Sequence, residues 1–260
     1  MTVEHAAVRA HCVLAPNPGP MTLEGTNTWL LYEPGAGRAV VLDPGPDDAG
    51  HLDAVIETAR EHDVEIAEVL LTHGHPDHAA GARAFAERVG TGVRALDPVH
   101  RLGDEGLTGG DVVEIDGLEL RVIATPGHSS DSLSFHLPAD AAVLTGDTIL
   151  GRGTTVVAHP DGRLGDYLDS LHRLRALCDD ARVQTVLPGH GPALSNALAV
   201  VDFYLAHRAE RLAQVEQAVA AGARTPRAVV ETVYVDVDPV LWPAAELSVR
   251  AQLDYLNARE

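Results

Sequence analysis

One eight-residue segment, Leu71–His78, constrains this chain more than any other part of its sequence. It reads Leu-Thr-His-Gly-His-Pro-Asp-His and follows directly on the apolar run Val69–Leu71. Pro76 is expected to exclude a regular helix through the segment, so that its polar side chains spread from a turn at the end of a strand. Imidazole and carboxylate groups are natural zinc ligands. The segment therefore predicts a metal site at the end of a buried strand.

Three later segments follow the same order of an apolar run, a tight turn and a ligand-type side chain. They end at His128 (VIATPGH), Asp147 (VLTGD) and His190 (TVLPGH), and each has glycine immediately before the ligand. Glycine permits a sharp exit from a strand and a close approach of the backbone. One such segment alone is an ordinary turn, but together with the first they supply seven candidate metal ligands. These are His73, His75, Asp77, His78, His128, Asp147 and His190.

Strand and helix patterns alternate along most of the chain. Helical spacing occurs over 51–62, 79–89 and 167–178. Apolar runs typical of strands lie at 28–32, 39–43, 69–71, 93–96, 112–115, 118–124, 132–136, 142–145 and 183–187. Strands that alternate with helices and also form hairpins predict an α/β sandwich rather than a purely parallel sheet.

The remainder of the chain has a helical pattern. Thr225 is placed as the N-cap of a short helix, because proline follows it. Helices are predicted over 197–221 and 227–234 and after Pro239. A segment of about 60 residues has too little core to fold independently, so we expect it to dock on the rest. The predicted domains are 1–195 and 196–260.

The composition bears on location and partners. The chain carries 38 Asp and Glu against 19 Lys and Arg, a net charge of −19, and all 19 of these cationic residues are arginine. Such a surface repels anionic membranes and nucleic acid at long range. No apolar run approaches the roughly 18 residues that span a bilayer. Glu4 and His5 stand where a secretory signal carries basic residues, and Cys12 and Cys178 are too few for a disulfide framework. We expect a cytoplasmic protein with reduced thiols and no membrane association.

The four ligand segments resemble the metallo-β-lactamase superfamily. The similarity rests on HGHPDH, TPGH, TGD and PGHG and covers roughly residues 13–192. It implies a four-layer αββα sandwich with a dinuclear metal centre between the sheet edges. By the same resemblance the first metal is held by His73, His75 and His128, the second by Asp77, His78 and His190, and Asp147 bridges the two.

Such a centre has a defined chemistry. Two divalent ions lower the pKa of a bridging water and polarise the bond under attack, so the resulting hydroxide serves as the nucleophile. Asp77 or Asp147 can orient that water or move its proton, and we assign both as catalytic residues. Two Zn²⁺ are expected, with iron or manganese as alternatives. Metal-bound histidines need hydrogen-bond partners, and Asp43 is our candidate, with a plain turn residue as the alternative.

A narrower resemblance concerns the segments 17–29 and 147–156, which are similar to the β-lactamase-like protein 2 family. That family implies a small C-terminal winged-helix-like domain, and its characterised branch cleaves single-stranded RNA. It also implies that Asn27, Thr154 and Thr155 border the substrate cavity, where the Asn27 amide could bind an oxyanion. The alternative for Asn27 is hydrogen bonding that stabilises a loop.

The substrate stays open between an ester, a thioester and an RNA phosphodiester. A channel for single-stranded RNA combines a basic groove with stacking aromatics, whereas this chain is acidic and only 4% aromatic. A small anionic ester or thioester is therefore as good a candidate as RNA. Arg152, Arg163, Arg208 and Arg211 are the candidates for a local anion path.

Two other functions compete with a two-metal hydrolase. One is a mononuclear iron oxygenase of the persulfide dioxygenase type, with His73, His128 and Asp147 as a facial triad. The other is a catalytically silent metal-binding or interaction module. The complete ligand set disfavours both. An oligomer is compatible with all of these readings.

Overall fold

The computed structural model describes residues 7–259 of the chain. It contains two mixed β-sheets. In the first, of order β1-β2-β3-β4-β5, the pairs β1/β2 and β2/β3 are antiparallel and the other two are parallel. Its strands are β1 (Ala10–Leu14), β2 (Asn27–Leu31), β3 (Arg38–Leu42), β4 (Glu65–Leu70) and β5 (Val93–Arg94).

The second sheet has six strands in the order β11-β10-β9-β8-β7-β6. All its pairs are antiparallel except β9/β10. Its strands are β6 (Val112–Ile115), β7 (Leu118–Ala124), β8 (Leu133–Leu137), β9 (Ala142–Gly146), β10 (Thr185–Pro188) and β11 (Leu194–Ser195).

Seven α-helices complete the described part of the chain. They are α1 (Ala49–Glu61), α2 (Pro76–Ala79), α3 (Ala82–Val89), α4 (Leu164–Asp180), α5 (Ala197–Ala220), α6 (Pro226–Val233) and α7 (Trp242–Asn257). None of the helices within residues 7–259 is both long and apolar enough to cross a membrane.

The two sheets pack face to face between two helical layers. Successive side chains of a strand point to opposite faces. On β3, Val40 and Leu42 therefore pack between the sheets against Phe135, while Val41 packs under α1 and α3 with Phe85. The second sheet is covered in the same way by α4 and α5. The four-layer αββα sandwich expected from the sequence is confirmed, and the central strands β2, β8 and β9 are buried along their whole length because both of their faces are covered.

Several elements differ from the sequence prediction. β1 was not predicted; it is an edge strand whose residues alternate between more and less buried positions. The helix predicted over 79–89 begins at Ala82 as α3, and Ala79 is the last residue of the separate short helix α2. Pro76 does prevent a helix through the whole ligand segment, since no helix covers residues 71–75, but the expectation that all of its side chains spread from a turn was wrong. Pro76 is the first residue of α2, a position where its missing N–H costs no hydrogen bond, so Asp77 and His78 lie in a helical turn.

The C-terminal helices share two cores. Tyr204 of α5 packs with α4 in the main domain, whereas Val215 of the same helix packs with Val230 of α6 and Val249 of α7. The predicted N-cap is present, since Thr225 accepts a hydrogen bond from the backbone N–H of Ala228. Because α5 belongs to both cores, the division at residues 195 and 196 stays a prediction.

Candidate metal centre

The seven predicted ligands meet at one edge of the sandwich because each follows the end of a strand. His73 and His75 follow β4, and His128, Asp147 and His190 follow β7, β9 and β10. Asp77 and His78 lie on α2.

The glycines before the ligands are required by close contacts. Gly127 has φ +135°, and a Cβ on it would lie 2.3 Å from the Cα of Tyr167. A Cβ on Gly189 would lie 2.7 Å from Asp147 Oδ1. Side chains larger than hydrogen at either position would displace α4 or enter the centre itself.

Three imidazoles form the first cluster. Nδ1 of His75 lies 3.0 Å from Nε2 of His73 and 2.9 Å from Nε2 of His128. The ligand atoms of the three residues all lie within 4.8 Å of one another. Such convergence of ring nitrogens on one point suits a cation with nitrogen ligands.

The second cluster combines a carboxylate with two imidazoles. Nε2 of His190 lies 3.1 Å from Oδ2 of Asp77 and 3.3 Å from Nε2 of His78. The distance between His78 Nε2 and Asp77 Oδ2 is 3.6 Å. These atoms also lie within 4.8 Å of one another.

Asp147 lies between the two clusters and presents one oxygen to each. Its Oδ1 is 3.3 Å from His78 Nε2 and 3.4 Å from His190 Nε2, while its Oδ2 is 3.6 Å from His128 Nε2. Oδ1 is buried and has no hydrogen-bond partner among residues 7–259. A buried carboxylate oxygen without a hydrogen bond is costly unless a cation is bound to it. The residues therefore fit two metal ions that share this carboxylate.

In four of the five histidines, His73, His78, His128 and His190, the ring nitrogen that faces away from the centre has a hydrogen-bond partner in the protein. His128 Nδ1 donates to the backbone oxygen of Val156 at 2.8 Å, and His190 Nδ1 donates to that of Gly25 at 3.0 Å. His73 Nδ1 lies 2.9 Å from the Thr72 hydroxyl. These contacts fix the orientation of each ring and direct its other nitrogen at the centre.

Asp43 lies directly behind the predicted ligands. Its carboxylate accepts hydrogen bonds from the Thr72 backbone N–H (2.7 Å), the Thr72 hydroxyl (2.7 Å) and His78 Nδ1 (2.8 Å). It therefore holds His78 directly and His73 through Thr72. Thr72 was missed from the sequence, although its position beside His73 was an available signal.

The pKa values of the histidines shift in opposite directions in the two clusters. Burial and the neighbouring histidines hold the pKa of His73 well below its ordinary value, and burial also lowers the pKa of His128. Burial acts to lower the pKa of His78 and His190 as well, but adjacent carboxylates outweigh it. Asp147 and Asp43 raise the pKa of His78 well above its ordinary value, and Asp147 and Asp77 raise that of His190 to about 9. These shifts favour neutral imidazoles at His73 and His128 and protonated imidazoles at His78 and His190.

Asn27 is placed differently from the other predicted substrate contacts. Its side chain is buried, and Nδ2 donates to the backbone oxygens of Pro188 (2.9 Å) and Gly191 (2.8 Å) on either side of His190. Both amide hydrogens are thus committed to the loop. Of the two alternatives, these contacts favour loop stabilisation over oxyanion binding.

Thr154 and Thr155 border a cavity of about 340 Å³ that begins at His128 and Asp147 and extends to the C-terminal helices. The Thr155 hydroxyl lies 3.2 Å from His128 Nδ1. Of the four candidate anion-binding arginines, three line this cavity. The exception is Arg163, which lines a separate cavity beside Asp254 and Tyr255. The remaining lining residues are Pro20, Met21, Leu23, Leu150, Arg152, Gly153, Val156, His207, Arg208, Arg211, Tyr234, Val237, Leu241, Ala244, Ala245 and Ser248.

Helix α5 also holds the loop that forms this cavity. The Tyr204 hydroxyl accepts a hydrogen bond from the Leu150 backbone N–H at 2.9 Å and lies 3.2 Å from the Gly153 backbone oxygen. Four residues further along, Arg208 donates to the Thr155 backbone oxygen at 2.6 Å. Tyr204 was not predicted from the sequence, although it shares a helix face with Arg208 and Arg211 at a spacing of four and seven residues.

Comparison with known proteins agrees with this geometry. The family described as metallo-beta-lactamase superfamily matches residues 21–190, and the beta-lactamase associated winged helix domain matches residues 225–260. The chain is 34% identical over 214 residues to a beta-lactamase-like protein 2 homolog from Caenorhabditis elegans, covering 76% of this chain and 67% of the relative.

Two further similarities bear on fold and substrate. An atrochrysone carboxyl ACP thioesterase from Aspergillus fumigatus is 38% identical over 189 residues, or 71% of this chain and 56% of the relative. The chain thus spans about two thirds or less of the curated relatives it matches. The crystal structure of a beta-lactamase domain protein from Burkholderia ambifaria superposes with a TM-score of 0.81 at 23% identity, covering 97% of this chain and 87% of the other.

Proposed function

The chain belongs to the metallo-beta-lactamase superfamily, and from that premise we propose that it is a two-metal hydrolase that cleaves thioesters. The observation that carries the proposal is the position of Asp147, whose two oxygens face two separate ligand clusters. A single-metal site has no use for the second cluster.

The proposed ligands follow from the geometry. His73, His75 and His128 would hold one divalent ion, Asp77, His78 and His190 the other, and Asp147 both. When bound, two such ions lower the pKa of a water between them and polarise the carbonyl of the substrate. The nitrogen-rich donor set favours zinc, and iron and manganese are the alternatives.

The protein's own residues then handle the proton. In thioester hydrolysis the water oxygen bonds to the carbonyl carbon, the carbon–sulfur bond breaks, and a proton passes from the water to the departing sulfur. The Asp77 side chain is 28% exposed and that of Asp147 only 11%. We assign the proton transfer to Asp77, because its carboxylate is the more accessible of the two.

The cavity supports a thioester over RNA. Apolar side chains such as Leu150, Val156 and Leu241 line it, and Tyr234 is the only Phe, Tyr or Trp residue among its lining. An acyl group packs well against such a surface, whereas single-stranded RNA needs stacking aromatics and a basic groove. A relative of the chain is named as a thioesterase, and the net charge of −19 opposes a polyanion.

The test uses metal-reconstituted protein. We expect two metal ions per chain and release of thiol from N-acetylcysteamine thioesters, followed with a disulfide reagent. Single-stranded RNA is assayed in parallel. RNA cleavage without thioester cleavage would instead establish a nuclease, and one iron per chain with oxygen consumption would establish the oxygenase alternative.

A matched pair of histidine variants separates one metal from two. His190→Ala is expected to bind one ion fewer and to lose turnover, because it removes a ligand of the second cluster. His172→Ala removes an exposed histidine on α4 and is expected to change neither. If His190→Ala keeps its metal content and rate, the two-metal assignment is wrong. A cytoplasmic location and self-association stay predictions.

A further inference from the structure

The cavity beside the metal centre contains a buried charge without a counter-ion. Arg208 on α5 is only 6% exposed, and among residues 7–259 no carboxylate forms an ion pair with it. Its Nη2 donates to the Thr155 backbone oxygen, and its guanidinium carbon lies 5.0 Å from the centre of the Tyr167 ring. Its Nε is buried and has no hydrogen-bond partner in the described part of the chain.

A second polar group of the same cavity also lacks a hydrogen-bond partner. Nδ1 of His207, the preceding residue, is buried and unpartnered within residues 7–259. The other two arginines that line the cavity are engaged: Arg152 pairs with Glu24 at 2.7 Å, and Arg211 donates to the Val233 backbone oxygen at 2.6 Å. Within residues 7–259, the buried side-chain atoms of this cavity that have no hydrogen-bond partner are therefore Arg208 Nε, His207 Nδ1 and, at the metal centre, Asp147 Oδ1.

Buried charges in proteins are normally paired, and buried donors are normally hydrogen-bonded. A guanidinium is a fork of donors that matches a carboxylate, and it stays charged at all relevant pH values. Arg208 thus provides what an anionic group would need in a cavity that apolar side chains and the metal-centre residues His128 and Asp147 also line.

We propose that the substrate is a thioester whose acyl group carries a carboxylate, and that Arg208 binds this carboxylate with His207 as a second donor. The proposal rests on the thioesterase function argued above. The reacting carbonyl then lies at the metal centre, the chain of the acyl group packs on the apolar lining, and the carboxylate reaches α5.

The test compares two acyl groups on one uncharged thiol. Hexanoyl and adipoyl thioesters of N-acetylcysteamine have the same length and differ in a terminal methyl or carboxylate. We expect kcat/KM to favour the adipoyl thioester about tenfold or more, as for a charge-assisted hydrogen bond. Arg208→Gln is expected to abolish this preference, and Arg152→Gln, in the same cavity but paired with Glu24, to keep it.

The ratio of the two kcat/KM values distinguishes a role of Arg208 in binding the carboxylate from a purely structural role. If Arg208 only positioned Thr155, Arg208→Gln would slow both thioesters equally and leave the ratio unchanged, which overturns the proposal. His207→Leu alters a half-buried residue and is expected to reduce the preference in part. It provides a second route to the same answer if the Arg208 variant does not fold.

Binding to metal-free protein tests the site without catalysis. We expect adipate to bind more tightly than hexanoate by calorimetric titration, and Arg208→Gln to remove the difference. If adipate binds in this manner but neither thioester is cleaved, the anion site stands and the thioesterase function is wrong. If thioesters are cleaved without a carboxylate preference and adipate does not bind, the function stands and the site is wrong.

Discussion

The metal-ligand loops and helix α5 border the same cavity, but they differ in whether their polar groups have hydrogen-bond partners within the protein. Every outward ring nitrogen of His73, His78, His128 and His190 has a partner within the protein. On α5, Arg208 Nε and His207 Nδ1 have none among the described residues. The contrast indicates that the loops are fixed in advance for chemistry, whereas the helix keeps donors free for a ligand.

The two regions are joined by the segment 154–156. Arg208 holds the backbone oxygen of Thr155, and the Thr155 hydroxyl and Val156 backbone oxygen both contact His128 Nδ1. A change on α5 can therefore reach a metal ligand through two contacts. Variants that affect one region and spare the other measure how separate the two are.

The largest effect is expected at Asp147. Asp147→Ala removes the one carboxylate within residues 7–259 that faces both clusters and leaves buried cations unpaired, at a cost of about 3–5 kcal/mol, or about 10²- to 10⁴-fold. We expect loss of at least one metal and of turnover, measured by elemental analysis and thioester hydrolysis.

The control for Asp147 is Asp169→Ala, which removes an exposed carboxylate on α4. Its metal content and rate should match the wild type. An Asp147→Ala protein with both metals and full activity would show that the clusters do not depend on this residue.

A smaller effect is expected at Asp43. Asp43→Asn keeps the shape of the side chain but removes the charge that orients His78 and, through Thr72, His73. Loss of such a partner weakens metal binding about 10- to 100-fold. Competition with a chromophoric chelator should show one ion weakened by this factor and the other by less.

Asp63→Asn changes an exposed aspartate after α1 and serves as the reference for Asp43→Asn. Adipate binding at Arg208 should be unchanged in both variants. If adipate binding falls together with metal affinity, the two regions are coupled more strongly than the contacts indicate.

The same contrast explains what the sequence could predict. The seven ligands could be found because residue type, spacing and the preceding strand and glycine all point to one use, and a strand end fixes where each side chain emerges. The layers could be predicted because strands buried on both faces leave continuous apolar runs.

The helical side of the cavity could not be found in this manner. In the sequence, Arg208 was one of four arginines that could not be distinguished as anion-binding candidates. Tertiary packing distinguishes them, because it buries Arg208 and pairs Arg152 with Glu24. Asn27 is a similar case. The sequence alone does not distinguish an asparagine that binds an oxyanion from one that donates to two loop carbonyls, as Asn27 does. The burial of a side chain, and the absence of a partner for one of its atoms, depend on residues that are distant in sequence. A local sequence pattern therefore does not predict them.

A substitution of Tyr204 tests how strongly helix α5 supports the loop at residues 150–155, which connects α5 to the metal-ligand loops. Tyr204→Phe leaves the buried backbone N–H of Leu150 without its acceptor, which should lower the free energy of unfolding by about 1–3 kcal/mol. Because the loop at 150–155 loosens, we expect KM to rise a few-fold with the metal content unchanged. Denaturant unfolding and steady-state kinetics measure the two effects.

Tyr255→Phe is the matched control for Tyr204, since the Tyr255 hydroxyl forms no hydrogen bond within residues 7–259. It should change neither stability nor KM appreciably. If Tyr204→Phe instead loses metal, the loop supports His128 and not only the cavity.

The smallest effect concerns pH and identifies which group on α5 carries the charge. Burial and the charges of Arg208 and Arg211 lower the pKa of His207 below its ordinary value, against a smaller opposing effect of Glu210. His207 is therefore neutral at pH 7. The other titratable groups that line the cavity are His128, Asp147, Arg152, Arg208, Arg211 and Tyr234.

Changes at the metal ligands act on both thioesters and cancel in the ratio of their kcat/KM values, and the arginines do not titrate. We therefore expect the adipoyl preference to vary less than about twofold between about pH 6.5 and 8.5. Below that range it should rise in the wild type, because protonated His207 adds a second positive charge, and stay level in His207→Leu. A preference that falls as pH rises through about 6.5 would make His207, not Arg208, the cation that binds the carboxylate.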